Sequence, residues 1–202
     1  MSIIFAKPYN YSCPIQEINV TKFPLVIISD PHTNIRKIRL IKEEYSHNQI
    51  ICLGDITFLF AKKGDKFNEL SVKYFIKNKI PCLQGNHDQL CDEYGLKEAE
   101  RDYLQKLPRG FKLLLPDGSN YLCFHNRPND LWGYTEEDFS KEDFLKTYPI
   151  NDKTKAVIIG HNHRHFINIY DGIDCYLFCV GRLSKDGEYA LLTENGLALQ
   201  KL

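Results

Sequence analysis

The chain has 202 residues, of which 43% are hydrophobic and 26% charged, and its acidic and basic side chains balance to a formal net charge of zero. This composition indicates a single globular domain over residues 1–202 whose core is stable without disulfide cross-links. The neutral balance argues against nucleic acid as a partner, since binding to a phosphate backbone needs clustered Lys and Arg, and no apolar run reaches the length of a membrane span.

Four apolar runs predict strands that are buried on both faces, because each run is continuous rather than alternating and is bounded by Gly or a polar residue. They are residues 24–29, 49–53, 80–84 and 156–159. Apolar residues recur near helical spacing in residues 34–46 and 67–78, which separate the first three runs. This alternation predicts βαβ units around a parallel sheet.

The rest of the chain has different patterns. Residues 89–107 are charged and weakly helical, with Asp88 as a candidate N-cap, and a Pro-Asp-Gly-Ser-Asn turn between residues 111–115 and 121–124 predicts a hairpin. Residues 135–146 begin with acidic residues and predict a helix. Asp-Gly, Lys-Asp-Gly and Asn-Gly turns separate four further strand-like runs and predict antiparallel hairpins; the runs are residues 166–170, 175–180, 189–193 and 197–202.

The seven cysteines are odd in number and include no CxxC pair, so neither a disulfide framework nor a zinc knuckle is indicated. Five of them lie in apolar runs, where we expect small, buried, reduced thiols: Cys52, Cys82, Cys123, Cys175 and Cys179. Residues 1–10 lack the charged and then apolar pattern of a signal peptide. Together these features predict a cytoplasmic location.

Most of the seven histidines stand in short polar motifs at the ends of apolar runs. The motifs are Asp30-x-His32, Gly54-Asp55, Gly85-Asn86-His87-Asp88, His125 and Gly160-His161-x-His163, with His47 and His165 interpreted as ordinary histidines outside the set. Each motif alone is more typical of a turn or an exposed strand end. Their occurrence together at strand ends, where ligands bind in α/β sheets, predicts a functional site.

Imidazole and carboxylate donors together favour Mn, Fe, Ni, Co or Zn over Ca. Asp55 is the natural carboxylate to bridge two ions, Asn86 offers an amide oxygen, and His125 a further nitrogen. A water between two ions would become a hydroxide nucleophile near neutral pH. His87 is better used as a cation or acid that faces the leaving group, oriented by a carboxylate such as Asp88.

This ordered set resembles the calcineurin-like metallophosphoesterases, and most of all their small phosphodiesterase branch. The resemblance spans Asp30 to His163 and implies an α/β fold, a four-layer αββα sandwich of two mixed β-sheets flanked by helices. It also implies two divalent ions, Mn first and Ni, Fe, Co or Zn as alternatives, with His87 as the catalytic histidine. One ion would take Asp30, His32, Asp55 and His163, and the other Asp55, Asn86, His125 and His161.

The expected function is hydrolysis of a small phosphate ester or nucleotide, most simply a diester, by a hydroxide that bridges the metals. A non-catalytic scaffold, a protein phosphatase and a nuclease are the alternatives. The Asp-Arg-Gly stretch of the protein phosphatases is replaced by residues 56–58, so their phosphate-gripping arginine is missing, and Arg127 or Arg164 are candidate substitutes. We interpret Trp132 and Tyr134 as core or loop packing, with a substrate groove as the alternative.

Overall fold

The computed structural model describes residues 14–59, 66–90, 95–133, 135 and 137–202. Ten strands and six helices lie within them. The strands are β1 (Ile15–Asn19), β2 (Leu25–Ile28), β3 (Ile50–Cys52), β4 (Gly110–Leu114), β5 (Asn120–Phe124), β6 (Thr154–Ile159), β7 (His165–Asn168), β8 (Tyr176–Val180), β9 (Glu188–Thr193) and β10 (Gly196–Lys201). The helices are α1 (Ile35–Glu44), α2 (Phe67–Asn78), α3 (Asn86–Gln89), α4 (Glu98–Gln105), α5 (Lys141–Thr147) and α6 (Leu183–Asp186).

The strands form two mixed sheets. A six-stranded sheet has the order β1-β4-β5-β6-β8-β7, and a four-stranded sheet has the order β10-β9-β2-β3. In the smaller sheet β2 pairs in parallel with β3 and antiparallel with β9. In the larger sheet β6 pairs in parallel with both β5 and β8, whereas β4 and β5 form the predicted hairpin.

The continuous apolar runs are explained by burial on both faces of each sheet. In β2, Leu25 and Ile27 point into the core between the two sheets, whereas Val26 and Ile28 pack under the helices of the outer layer. Helices α1, α2 and α4 cover the four-stranded sheet, and Phe144 of α5 packs on the outer face of the six-stranded sheet. The prediction of a four-layer αββα sandwich is therefore confirmed.

One predicted strand and one predicted hairpin are wrong. Residues 80–84 contribute one parallel bridge, between Cys82 and Cys52, instead of a strand. The Lys-Asp-Gly turn does not close a hairpin, because it ends α6 with Gly187 in the left-handed conformation (φ 77°) and carries the chain from β8 into the other sheet. The Asp-Gly and Asn-Gly turns do join antiparallel pairs, β7 with β8 and β9 with β10.

Helix boundaries also differ from the prediction. The helix predicted over residues 135–146 begins at Lys141, where the Ser140 hydroxyl accepts a hydrogen bond from the Asp143 N–H and caps it. Residue 136 lies outside the described residues, as do residues 91–94 of the weakly helical stretch, whose α4 covers only Glu98–Gln105. Asp88 lies inside α3 and is not the N-cap of a longer helix.

The five cysteines of the apolar runs are buried and unpaired, as predicted. Cys13, Cys91 and Tyr134 lie outside the described residues. Within the part of the chain that the structure describes, no helix is both long enough and apolar enough to cross a bilayer.

Candidate metal centre

The motif residues meet where the carboxyl ends of β2 and β3 in one sheet face those of β5 and β6 in the other. Asp30 and His32 follow β2, Asp55 follows β3, and His125 follows β5 directly. Asn86 and His87 open α3, and His161 and His163 follow β6. The structure thus brings together all eight residues that the sequence singles out for ligand or catalytic roles.

The backbone at these residues is unusual, because several non-glycine residues adopt the left-handed conformation. The φ angles are 51° at Asp30, 38° at His32, 56° at Asp55, 63° at His161 and 59° at His163. This conformation costs an L-residue roughly 1–2 kcal/mol. Strained backbone that clusters at one place is typical of a functional site, where the surrounding fold must hold it.

Two motif glycines allow the loops to approach one another. A Cβ on Gly85 would come within 2.0 Å of Asp55 Oδ1, and one on Gly160 would come within 1.8 Å of Ser29 Oγ. At Gly85 a side chain would also clash with the backbone nitrogen of Asp55, at 2.4 Å, and at Gly160 the Ser29 side chain would have to move. These glycines therefore belong to the motifs for steric reasons.

Asp30, His32, Asp55 and His163 form the first ligand group. Nε2 of His32 lies 3.0 Å from Nε2 of His163, which is 3.3 Å from Oδ1 of Asp30. Nε2 of His32 is also 4.0 Å from Oδ2 of Asp55. Donor atoms that bind one ion at about 2.0–2.2 Å lie roughly 3 Å apart at right angles, so these atoms need only small adjustments to surround an ion.

Asp55, Asn86, His125 and His161 form the second ligand group. Oδ1 of Asn86 lies 2.9 Å from Nε2 of His125 and 2.9 Å from Nδ1 of His161. Those two nitrogens are 3.3 Å apart, and Oδ1 of Asp55 is 3.5 Å from the His125 nitrogen. Asp55 therefore turns one carboxylate oxygen toward each group.

The positions of the ring protons in the second group indicate whether a cation fits between its donor atoms. His125 Nδ1 donates to the Leu53 carbonyl at 2.9 Å, which places the proton of a neutral ring there and leaves Nε2 bare. The Gly133 carbonyl lies near the ring of His161. The bare Nε2 of His125 and the amide oxygen of Asn86, 2.9 Å apart, repel one another unless a cation lies between them. Such outer hydrogen bonds are typical of metal-bound histidines.

The pKa values of the buried groups also favour a cation at this site. Burial lowers the pKa of His125 to about 3, so its ring is neutral and able to bind a metal. Burial, with the charges of Asp30 and Asp88, raises the pKa of Asp55 well above its usual value. Burial opposes the ionisation of Asp30, but His163 and the other neighbouring imidazoles outweigh it and hold that pKa low. A divalent ion would stabilise both carboxylates as anions.

His87 lies beside the first ligand group, with its ring centroid 4.7 Å from that of His32. Its Nδ1 accepts a hydrogen bond of 2.9 Å from the Leu59 N–H, and its Nε2 faces Oδ2 of Asp55 at 3.9 Å. Burial and the nearby His32 lower the pKa of His87 to about 4. The ring is therefore neutral at pH 7 and presents an Nε2–H donor to the site.

Asp88 does not orient His87, and that prediction is wrong. Its buried carboxylate instead accepts hydrogen bonds from the backbone N–H groups of Gly85 at 3.0 Å, Asp55 at 2.9 Å and Thr57 at 3.0 Å, and from the Thr57 hydroxyl at 2.8 Å. Asp88 thus ties the loop after β3 to the start of α3. It positions Asp55 and not His87.

Arg182 is the charged residue of the site that sequence reasoning missed. Its NH1 lies 3.3 Å from Nδ1 of His163, and its Nε and NH2 donate to Oδ2 of Asp186 at 3.1 and 2.9 Å. The next residues are held at the site as well, because the Leu183 N–H donates to the Ser29 carbonyl at 3.0 Å. The only sequence signal is an Arg between a strand and the Lys-Asp-Gly turn.

The arginines suggested by the sequence are placed differently. The Arg127 guanidinium lies over the Phe139 ring, 5.3 Å from its centroid, and Arg164 is exposed. His165 donates to the Cys179 carbonyl outside both ligand groups. Trp132 is 52% exposed, so it is not part of the core, and of the expected placements loop packing and a substrate groove remain.

Comparisons with known proteins identify the family and the fold. A family model described as the calcineurin-like phosphoesterase superfamily domain matches residues 24–193. A comparison with curated proteins finds no match. Among solved structures, a metallophosphoesterase from Sphaerobacter thermophilus has a TM-score of 0.68 at 17% identity, over 89% of this chain and 88% of that one.

Two further solved structures share the fold. One is described as a putative diadenosine tetraphosphatase, with a TM-score of 0.60 at 14% identity over 94% of this chain and 98% of that one. The other is described as a novel archaeal phosphodiesterase, with a TM-score of 0.53 at 18% identity over 89% of this chain and all (100%) of that one.

Proposed function

Since the chain belongs to the calcineurin-like phosphoesterase superfamily, we propose that it is a phosphodiesterase with two divalent metal ions. The observation that carries the proposal is the position of Asp55, whose Oδ2 faces the first ligand group and whose Oδ1 faces the second. A carboxylate between two ions roughly 3.5–4 Å apart is the arrangement used for hydrolysis of phosphate esters. The first group would hold one ion and the second group the other.

When bound, the two ions would supply a hydroxide nucleophile near neutral pH and polarise the phosphoryl oxygens. The mixed nitrogen and oxygen ligands favour first-row metals, and we propose Mn, with Ni, Fe, Co or Zn as alternatives. A diester is proposed over a phosphoprotein because residues 56–58 replace the Asp-Arg-Gly of the protein phosphatases.

His87 would donate a hydrogen bond from Nε2 to an oxygen of the reacting phosphate. Because the Leu59 N–H occupies Nδ1, the ring can act as a neutral donor without changing its tautomer. A cationic ring would need a second proton on Nδ1, where it would meet the Leu59 hydrogen. The proposal therefore replaces the expected cation with a neutral donor that stabilises charge on the phosphoryl or leaving oxygen.

Arg182 would grip a non-bridging phosphoryl oxygen. If His163 binds a metal through Nε2, its Nδ1 carries a hydrogen and can no longer accept from the Arg182 guanidinium. The two donors must then separate, and the NH1 end becomes available to an anionic acceptor that enters the site. Asp186 keeps the rest of the guanidinium in place through two hydrogen bonds to one oxygen, which favours phosphate recognition by a positioned fork.

The test is a substrate and metal panel on chelated, reconstituted protein. We expect about two Mn ions per chain and a higher kcat/KM for bis-p-nitrophenyl phosphate than for p-nitrophenyl phosphate. Asp117→Asn is the matched control for Asp55→Asn, because it makes the same chemical change at an exposed turn carboxylate. Metal content clearly below one ion per chain, with no hydrolysis under any metal, would support a non-catalytic scaffold instead.

A further inference from the structure

Trp132 is the only tryptophan of the chain, and its position is fixed although half of it is exposed. Its indole N–H donates to Oε1 of Gln89 at 3.1 Å. The backbone N–H groups of Trp132 and Gly133 donate to Oδ1 of Asp130 at 3.0 and 2.9 Å. The ring is therefore held by its N–H edge and by its backbone.

Two contacts link Trp132 to the candidate metal centre. Its partner Gln89 is the last residue of α3, two positions after His87. The Gly133 carbonyl, next to Trp132 in the chain, accepts a hydrogen bond from the Asn126 side chain and lies near the ring of His161. The indole consequently sits at the rim of the site, between the elements that carry His87 and His161.

An aromatic side chain that is fixed but uncovered is prepared to bind a flat apolar group. Folding gains little from an exposed indole, whereas stacking on a ring that is already oriented costs little conformational entropy. Tryptophan combines a large apolar face with a polar edge, and here Gln89 binds that edge. Because the polar edge is already paired, a ligand would contact the ring through its apolar atoms.

We propose that Trp132 forms a stacking subsite for a nucleobase, so that the substrate is a phosphodiester of a nucleotide. This inference rests on the proposed function, because the phosphate must reach the metal centre while the base lies on Trp132. In nucleotides a planar aromatic ring is joined to the phosphate through one sugar. Every nucleobase has such a face, so the subsite selects nucleotides over alkyl phosphodiesters without selecting one base.

The test compares adenosine 5′-monophosphate with ribose 5-phosphate on the metal-loaded protein. The two ligands share sugar and phosphate and differ only in the base. Because Trp132 is the only tryptophan, stacking should quench the intrinsic fluorescence saturably with the first ligand and not with the second. The adenine ligand should also be the stronger competitive inhibitor of bis-p-nitrophenyl phosphate hydrolysis.

Variants test whether Trp132 is responsible for the preference for adenosine 5′-monophosphate over ribose 5-phosphate. Trp132→Ala should raise the inhibition constant of adenosine 5′-monophosphate by about 5- to 160-fold, the range for loss of one base–aromatic stack, and leave that of ribose 5-phosphate nearly unchanged. Trp132→Phe should keep most of the affinity. Ile169→Ala, at a residue that is 82% exposed in the turn after β7, is the control and should change neither constant.

Equal inhibition by the two ligands in the unaltered protein would overturn the subsite. So would an equal rise in both inhibition constants in Trp132→Ala. Failure of the proposed function looks different, since no ester would then be hydrolysed with any metal. Fluorescence quenching needs no turnover. Quenching by the adenine ligand alone would support the subsite even in that case.

Discussion

The two ligand groups share Asp55 but support their histidines in different ways. In the second group, Nδ1 of His125 donates to the Leu53 carbonyl, and the Gly133 carbonyl lies near the ring of His161. In the first group, His32 donates to the Thr57 carbonyl at 3.1 Å, but the outer nitrogen of His163 faces the Arg182 guanidinium. The groups therefore differ in that a cationic side chain, Arg182, faces an outer imidazole nitrogen of the first group.

The groups also differ in charge. The first contains the carboxylates of Asp30 and Asp55, whereas the second has Asp55 beside the amide of Asn86 and the imidazoles of His125 and His161. We therefore expect charge to favour a cation at the first group. If Asp55 bridges two ions as proposed, a change at Asp55 should affect both ions, and a change at another of these residues only one or neither.

Asp55→Asn should have the largest effect. The amide keeps the shape but removes the charge that both ions share, so we expect loss of both ions and a fall in activity of more than about 100-fold, the upper end of outer-shell effects. The thermal midpoint of the metal-free protein should not fall, because burial of Asp55 already disfavours its anion. Full metal content in Asp55→Asn would disprove the bridging role.

Asn86→Ala and His163→Ala should each remove one ion and keep the other. Metal analysis would then give about one ion per chain in both variants, against two in the unaltered protein. Asn86 is buried, with 4% exposure, whereas the His163 side chain is 35% exposed. The metal-free thermal midpoint should therefore fall more in Asn86→Ala. Loss of both ions in either variant would show that the groups are not separable.

His87→Ala should remove no ion. We expect kcat to fall by roughly 10²–10⁴, the usual range for a lost proton-transfer or donor group, with an unchanged thermal midpoint. The loss should be smaller on a p-nitrophenyl ester than on an alkyl ester, because p-nitrophenolate needs less help to leave. Equal losses on both would place the His87 donor on a non-bridging oxygen, and loss of metal would make His87 a ligand.

Arg182→Gln should have the smallest effect, and it should weaken the binding of substrate and of inorganic phosphate. Loss of a charge-assisted hydrogen bond predicts an increase of roughly 10-fold or more in KM and in the inhibition constant of inorganic phosphate. Arg182→Lys should recover part of it. Lys112→Gln, which removes a cation paired with Glu17 on the sheet, is the control for charge. If Arg182→Gln lost the ion of the first group instead, Arg182 would support His163 and not the phosphate.

The strand-end motifs were predictable because each depends on local sequence. A continuous apolar run specifies a strand buried on both faces, and the parallel strands place their carboxyl ends at one edge. The polar residues after β2 and β3, and those after β5 and β6, therefore had to meet within each sheet if the strands paired, and packing of the two sheets brought the two edges together. The run at residues 80–84 failed as a strand because it makes one bridge, at Cys82, before the chain turns into α3.

Other features of the site depend on contacts between distant residues, which no local pattern encodes. Asp88 reaches backbone N–H groups 31 and 33 positions earlier in the chain, and the Leu59 N–H meets His87 from 28 positions away. Arg182 comes to His163 only because its backbone neighbours bind the loop that carries Asp30. Hydrogen bonds of this kind form once the two sheets have packed.

By itself, the sequence determined the layers of the fold and the identity of the residues that converge, because apolar periodicity and strand-end position are properties of short segments. The tertiary structure alone decided which oxygen of Asp55 faces which group, that Nδ1 of His87 accepts from the Leu59 N–H, and that the Trp132 indole donates to Gln89. Those properties arise from the directions of individual hydrogen bonds, and a direction exists only after packing fixes both partners.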